Sequence, residues 1–386
     1  MPWQKVSVEA QRLRLVLAIL SQREPVTVVC RRFGVSRQTG YKYVGRFRRW
    51  GRRGLREQSR GRKGQGWPVR WRRELLRIRQ RRSTWGGKKM RWLLRQRHPR
   101  WHLPAERTLQ RWLQQAGVAR LRVHKRHALG PVGRGQVARR SNQVWTADHK
   151  GWFRTGRGQR IEPLTVRDLY SRYLLAVAPV ANTSYRETRR IFSRLFSRLG
   201  LPKVIRCDRG SPFCGSGPHG LTRLSLWWHR LGIRVEYVSR QRRVHNNGHE
   251  QMHQILQEEV ASQPAPTRAA QHRVLRKWQH LYNYGRPHQA LRMQTPASRY
   301  RSQPGPLPRL RLPRYPAGWL VHRVKISGHI LVHRKLFGIG RAFARLPVGL
   351  KPIAGPLHHV YFAGLLLGEL DLARHHAIHL LPSTTS

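Results

Sequence analysis

Three carboxylates, Asp148, Asp208 and Glu250, stand where distant parts of the chain can be brought together. Asp148 closes a β-like run, Val144-Trp145-Thr146-Ala147, and Asp208 closes another, Val204-Ile205-Arg206-Cys207, while Glu250 rides on a helical stretch. Such residues can hold two Mg²⁺ ions about 3.5 to 4 Å apart, which activate a water or 3′-hydroxyl and stabilise the leaving oxygen of an in-line phosphoryl displacement. Mg²⁺ takes one or two carboxylates together with waters and phosphate oxygens, so no dedicated cage is required. The competing acids have structural readings. Asp168 suits a hairpin turn, Glu162 and Glu236 strand faces or edges, and Glu258 and Glu259 a solvated stretch of helix. On residue types alone, the metal-binding reading of the three and an ordinary structural one stand level.

The chain carries 78 Lys and Arg against 16 Asp and Glu, a formal net charge of +62 over 386 residues. Self-repulsion on that scale calls for a polyanion, and nucleic acid is the expected partner. Cys30, Cys207 and Cys214 are too few and too scattered for a disulfide framework or a four-ligand zinc site. No stretch approaches the run of about 18 apolar residues that a membrane span needs, and the first residues lack a signal-peptide core. A soluble, cytoplasmic, nucleoid-associated protein with no membrane partner is therefore expected. The histidines His375, His376 and His379 read as a solvated tail.

A chain of 386 residues exceeds what one core fills and predicts a multidomain α+β protein. Residues 1–58 read as a helix-turn-helix domain: an amphipathic helix with Leu13, Val16, Leu17 and Leu20 on one face, a short helix over 27–33, a Gly34-Val35 turn, and a helix N-capped by Ser36. In that motif the start of the last helix faces base edges, here Arg37, Gln38 and Lys42. A basic linker follows at 59–68, then a second helical DNA-binding domain at 69–118, with Met90, Leu93, Leu94, Leu109, Trp112 and Leu113 as its core, and a phosphate-tracking basic linker at 119–140.

Residues 141–301 alternate between element types. Strand-like runs at 144–147, 161–166 and 173–180 suggest an antiparallel meander; a helix over 185–199, a strand delivering Asp208, a helix over 221–231, a strand at 235–238 and the helix of Glu250 follow. This is the layout of a ribonuclease H-like α/β core, a mixed sheet flanked by helices. On the last helix Glu250, His253, Gln254 and Gln257 share one face, and Met252, Ile255 and Leu256 form the packing face. A Pro/Gly-rich linker at 302–316 leads to 317–386, where runs at 319–324, 329–333, 342–346 and 359–367 predict a small β-barrel.

Four blocks carry a resemblance. The segments Trp145-Thr146-Ala147-Asp148-His149-Lys150-Gly151-Trp152-Phe153, Asp208-Arg209-Gly210-Ser211-Pro212-Phe213, Asn247-Gly248-His249-Glu250-Gln251-Met252-His253 and Asn283-Tyr284-Gly285-Arg286-Pro287-His288 occur in order, the last followed by Leu291 and Thr295-Pro296. They resemble the catalytic blocks of insertion-sequence DDE transposases with a retroviral-integrase-like core. The resemblance implies recognition of terminal inverted repeats in double-stranded DNA, 3′-end cleavage and strand transfer into target DNA, by a homo-oligomer. It implies Asp148, Asp208 and Glu250 as the catalytic carboxylates holding two Mg²⁺ or Mn²⁺ ions. His253 and Arg286 become candidates for positioning the helix or DNA, and the basic Lys150 and Arg209 for contacting DNA.

The blocks also depart from the family. Arg209 stands where an Asn is usual, which suits a tight turn less well. Arg240-Gln241-Arg242-Arg243 replaces a Pro-Gly-x-Pro loop, and one residue is missing between Gly248 and Glu250. Gln251, Gln254 and Gln257 occupy positions the family makes basic. These departures leave an alternative: an impaired relic or repressor that binds DNA without cutting it.

Overall fold

Ser7 and Ser36 each begin a helix in the same way, their side-chain oxygens accepting the N–H of Ala10 and Thr39. The helices α1 (Val8–Leu20), α2 (Val26–Arg32) and α3 (Arg37–Trp50) enclose Leu15, Val16, Ile19, Val29, Cys30, Val44 and Leu55. This computed structural model describes residues 7–57, 67–119, 137–238, 247–310, 312–374 and 378–379. The turn between α2 and α3 needs Gly34, whose φ is +65°. At Gly40 a Cβ would lie 2.6 Å from Cys30 Sγ, so α3 packs tightly against α2 and α1 there. That approach draws Ile19 inward and leaves Leu17, expected on the buried stripe, 52% exposed. Arg37, Gln38 and Lys42 are exposed on α3.

Contacts divide the chain after Trp67, and the remainder forms a second unit. It opens with α4 (Val69–Arg81), α5 (Gly87–Arg97) and α6 (Glu106–Gln115) around Leu75, Ile78, Trp85, Met90, Leu94, Leu109 and Leu113. Most of the expected linkers, at 58–66 and 120–136, lies outside the described residues, as do Arg240 to Arg243 and His375 and His376.

A six-stranded mixed sheet follows, built from β1 (Val144–His149), β2 (Phe153–Arg154), β3 (Arg160–Asp168), β4 (Leu174–Val180), β5 (Val204–Cys207) and β6 (Arg234–Tyr237). The pairs β1/β3 and β3/β4 are antiparallel, as the meander reading expects, while β1/β5 and β5/β6 are parallel. Asp168 closes the β3 to β4 turn, accepting from Ser171 N at 2.8 Å and Asn142 N at 3.0 Å. Strand residues alternate between faces. Trp145, Ala147, Leu164, Val166, Ile205 and Cys207 pack against α7 (Tyr185–Leu199) and α8 (Arg223–Arg230) through Phe192, Phe196, Trp227 and Trp228. Thr146, Asp148, Thr165, Arg167, Arg206 and Asp208 alternate with these residues and so take the opposite face. That face is covered by α9 (Asn247–Leu256) and α10 (Arg268–His280), whose Met252, Leu256, Leu275 and Trp278 meet Leu174 and Val177.

The C-terminal region corrects the barrel expectation. A four-stranded antiparallel sheet contains β7 (Leu320–Arg323), β10 (Pro347–Ala354), β11 (Leu357–Phe362) and β12 (Leu365–Asp371), and β8 (His329–Val332) pairs only with β9 (Lys335–Gly338). Among the described residues no ladder joins the two sheets or the outer strands β12 and β7, so both are open. The run at 342–346 is not a strand: Arg341–Phe343 forms a 3₁₀ turn that places Phe343 in the core. The run at 359–367 is a hairpin that reverses at Ala363, where φ is 53°, and Gly364. Leu221 and Leu226 join this core, so the region caps the six-stranded sheet domain beside α8.

A buried ion pair ties the second helical bundle to the sheet domain. Beyond α9 the chain continues as a π turn, Gln257–Ala261, in which Glu259 receives Arg286 Nη1 at 2.9 Å, Trp278 Nε1 at 2.6 Å and the Thr84 hydroxyl. The Arg286 side chain is 4% exposed and that of Glu259 16%. Removing one partner leaves the other charge buried and unmatched, which costs about 3–5 kcal/mol. Glu259→Gln is accordingly expected to lower the urea midpoint of the second unit far more than Glu162→Gln, whose partner Arg160 is 54% exposed. Equal midpoints for the two variants would refute a structural role for the pair.

Candidate active site

Strand register brings the two aspartates together. Ala147 pairs with Cys207 across the parallel β1/β5 ladder, so Asp148 and Asp208, each the next residue, leave adjacent strands on the same face. Neighbouring strands lie about 4.8 Å apart. Gly210 keeps the loop after β5 close: a Cβ there would sit 2.8 Å from Asp208 Oδ2. Arg209 adopts no positive φ, so this turn does not need the conformation that favours Asn. Phe213 is fully buried beside His149 and Trp228 and anchors the loop.

The helix α9 is registered on this face by hydrogen bonds. His249 is fully buried, its Nδ1 2.9 Å from Thr146 Oγ1 and its Nε2 2.7 Å from Thr165 Oγ1. His253 Nε2 also meets Thr165 Oγ1, at 2.7 Å. At the start of α9, Arg167 Nη1 donates to the Gly248 carbonyl, and a Cβ on Gly248 would lie 2.7 Å from Arg167 Nη2. Glu250 is exposed in the first turn of α9.

Burial and the neighbouring charge of Asp208, with a further contribution from Glu250, push the Asp148 carboxyl up to about 7. Three carboxylates thus interact, and among the described residues none of them forms an ion pair with Lys or Arg in a chain of net charge +62. The nearest basic group, His253 Nδ1, is 3.8 Å from Asp148 Oδ2. Burial first, then the charges of Lys150 and Arg167, hold His253 down to about 3, so it is neutral and does not offset the carboxylates. An all-oxygen set with concentrated negative charge fits hard divalent cations.

The other candidates distribute differently. Lys150 is half-buried and donates to Gln257 Oε1 at 2.8 Å, bracing α9. Arg209 is exposed beside Asp208. His253 faces the sheet rather than sharing the outward face of Glu250. Arg286 is buried against Glu259 and Thr84, which replaces the expected DNA contact with a structural one, and Glu259 is correspondingly not solvated. His249, Thr146, Thr165 and Arg167 escape motif reading. The spacing of His249 with Met252 and Leu256, i, i+3 and i+7, is the signal that places it on the packing face.

A mixed sheet with helices on both faces and strand-end aspartates beneath a helix-borne glutamate is the architecture of an integrase-type core. Residues 11–64 match the family model described as a helix-turn-helix domain, and residues 138–243 and 231–296 match two described as integrase core domains. An uncharacterised 31.7 kDa protein of insertion element IS407 from Burkholderia multivorans is 26% identical over 190 residues, 48% of this chain and 66% of that protein. The match thus spans just under two thirds of the relative. Among solved structures, the HTLV-2 integrase catalytic core domain in complex with magnesium is 15% identical, covering 42% of this chain and 97% of that one at a TM-score of 0.32. The simian T-cell lymphotropic virus intasome in complex with PP2A regulatory subunit B56 gamma is also 15% identical, covering 76% and 97% at a TM-score of 0.37. The sequence matches together give this chain a helix-turn-helix domain followed by an integrase core.

Two measurements probe the site itself. Gly248→Ala should displace Arg167 and shift α9, lowering Mn²⁺ affinity at the carboxylates, whereas Gly45→Ala, with nothing within 4 Å of its Cβ position, should leave it unchanged; equal titrations would mean that this contact does not position Glu250. The second concerns pH. A carboxyl held above its usual range stabilises the metal-free fold below about pH 4, and that contribution is lost as pH rises through about 7. A cation must displace the same proton, so Mn²⁺ affinity should climb between pH 6 and 8, and in Asp208→Asn the climb should move to lower pH. A flat profile in the wild type would remove Asp148 from the site.

Proposed function

We propose that the chain is a transposase that binds the terminal inverted repeats of its own insertion sequence and catalyses metal-dependent 3′-end cleavage and strand transfer. The observation that carries this reading is the cluster of Asp148, Asp208 and Glu250, in which burial and the charges of Asp208 and Glu250 push the Asp148 carboxyl up to about 7 while, among the described residues, none of the three pairs with Lys or Arg. Two Mg²⁺ or Mn²⁺ ions held by these carboxylates would supply the positive charge that polarises the attacking and leaving oxygens.

The rest is done by the protein's own groups. Asp148 must release its proton before it can bind a cation, and its neighbours set the pH at which it does so. The exposed Arg209 stands where a phosphodiester passing Asp208 can be held, and Lys150 keeps α9 in place through Gln257. In the first unit, Arg37, Gln38 and Lys42 face outward from the first turns of α3, available to base edges in the major groove. The large positive charge binds phosphates by counterion release, so DNA affinity should fall steeply with salt. Joining two transposon ends to one target calls for a homo-oligomer on DNA.

The decisive experiment is Mg²⁺-dependent 3′-end cleavage of a duplex carrying the terminal inverted repeat from the gene's own flanks, for wild type and Asp208→Asn. Cleavage by the wild type and none by the variant, with duplex binding retained in both, is expected. Tight, metal-independent binding with no cleavage by either protein would make the chain a DNA-binding relic or repressor.

A further inference from the structure

We infer that His253 is a nitrogen ligand to the divalent ion at Asp148, and that the site therefore favours Mn²⁺ or Zn²⁺ over Mg²⁺. This rests on the metal-binding reading of the carboxylates given above and adds a donor of different chemistry.

The argument begins with the Thr165 hydroxyl, which has one proton and three partners. The Asp148 main-chain carbonyl, 2.9 Å away, can only accept, so it takes that proton. His249 Nε2 and His253 Nε2, each 2.7 Å from Thr165 Oγ1, must then both donate. This fixes both tautomers and leaves a lone pair on each Nδ1. His249 Nδ1 is occupied by the Thr146 hydroxyl at 2.9 Å, the shorter of that hydroxyl's two contacts, the other being the Arg167 carbonyl at 3.3 Å. The lone pair of His253 points toward Asp148 Oδ2 across 3.8 Å.

This gap is too long for a hydrogen bond, yet it is a span that two donors, each about 2.1 Å from a common ion, can bridge. The donor atoms of Asp148, His249 and His253 all lie within 4.8 Å of one another, but only His253 has a nitrogen uncommitted. The His253 side chain is 14% exposed and Asp148's is 20%, so the pair is largely screened from water. Only the neutral ring can act as a ligand. An N–H held by a second group is how ligating histidines are commonly oriented, and Thr165 is that group here. Imidazole suits Mn²⁺ poorly compared with Zn²⁺ but both better than Mg²⁺, whose preference is for oxygen.

The test is pulsed EPR on the full chain loaded with Mn²⁺ at pH 8, as wild type, as ¹⁵N-histidine-labelled wild type, and as His253→Gln and Asp148→Asn. Expected are a ¹⁴N coupling in the wild type that becomes ¹⁵N on labelling, its loss in His253→Gln with Mn²⁺ affinity reduced at least about tenfold, and loss of the bound ion in Asp148→Asn. In competition, less Mg²⁺ should be needed to displace Mn²⁺ from His253→Gln than from wild type. Mn²⁺ bound to the wild type without nitrogen coupling would overturn the role of His253 and leave the carboxylate site standing. Coupling that persists in His253→Gln would also overturn it, assigning the nitrogen to another histidine. No bound Mn²⁺ at millimolar concentration would overturn both readings. Should His253→Gln fail to fold, His253→Asn serves in its place, and the labelled wild type gives the coupling without any substitution.

Discussion

A single hydroxyl, that of Thr165, fixes the relation between the sheet and the helix above it. Because the Asp148 carbonyl takes its proton, two histidines one helical turn apart must turn the same nitrogen toward it. Hydrogen bonds to a common acceptor on β3 define both the rotation and the axial position of α9 more narrowly than the apolar contacts of Met252 and Leu256, which tolerate sliding. The rotation matters because Glu250 lies between the two histidines in sequence. With His249 and His253 turned inward, Glu250 is left at the exposed edge of the helix, near enough to Asp148 for its charge to be felt. The polar face of the sheet is thus not a defect in an otherwise apolar core. Thr146, Thr165 and Arg167 are the counterparts that α9 requires, while the opposite face is packed with Phe192, Phe196, Trp227 and Trp228.

The same face concentrates charge that the remainder of the molecule disperses. Elsewhere several acids are matched to arginines: Glu236 takes Arg206 and Arg234, Glu74 takes Arg77 and Arg97, and Glu259 takes Arg286. Arginine is plentiful enough that pairing is the easy outcome, so carboxylates kept together without it represent a sustained cost. Burial and mutual repulsion hold one proton on Asp148 up to about pH 7, and a cation relieves what the protein leaves unbalanced.

Much of this was legible in the sequence because the local signals were strong. Ser36 and Ser184 mark helix starts by their caps, Gly200 follows the end of α7, and the strand before Asp208, Val204-Ile205-Arg206-Cys207, is in register with Val144-Trp145-Thr146-Ala147. Where a reading failed, a tertiary contact had overridden a local pattern. Arg286 and Glu259 both look like solvent-facing charges, and only the fold shows that they meet, with Thr84 from more than 170 residues upstream. The C-terminal strands differ from the sequence reading because the left-handed positions of their hairpins fall on His333, Arg334 and Ala363, residues that give little turn signal in composition. His249 carries no motif signal of its own, because its role lies in hydrogen bonds to Thr146 and Thr165 on strands far away in sequence, and only its spacing from Met252 marks it as inward-facing.

Two of the buried arginines, Arg167 and Arg286, give α9 its rigidity by different means. At the start of the helix, Arg167 donates to the carbonyl of Gly248 and occupies the space a side chain would need, so the contact is steric as much as electrostatic. Beyond its end, Arg286 meets a full carboxylate on Glu259, itself shared with Trp278 and Thr84. A guanidinium loses much hydration on burial and recovers it only where its N–H groups find fixed acceptors. Each arginine is therefore stable only while the helix backbone stays where it is, and displacement at either end exposes an unmatched charge. A helix held this way resists both sliding and rotation, which are the two motions that would carry Glu250 away from Asp148 and Asp208. The second helical bundle, joined to the same Glu259 through Thr84, thereby braces the helix that bears the third carboxylate.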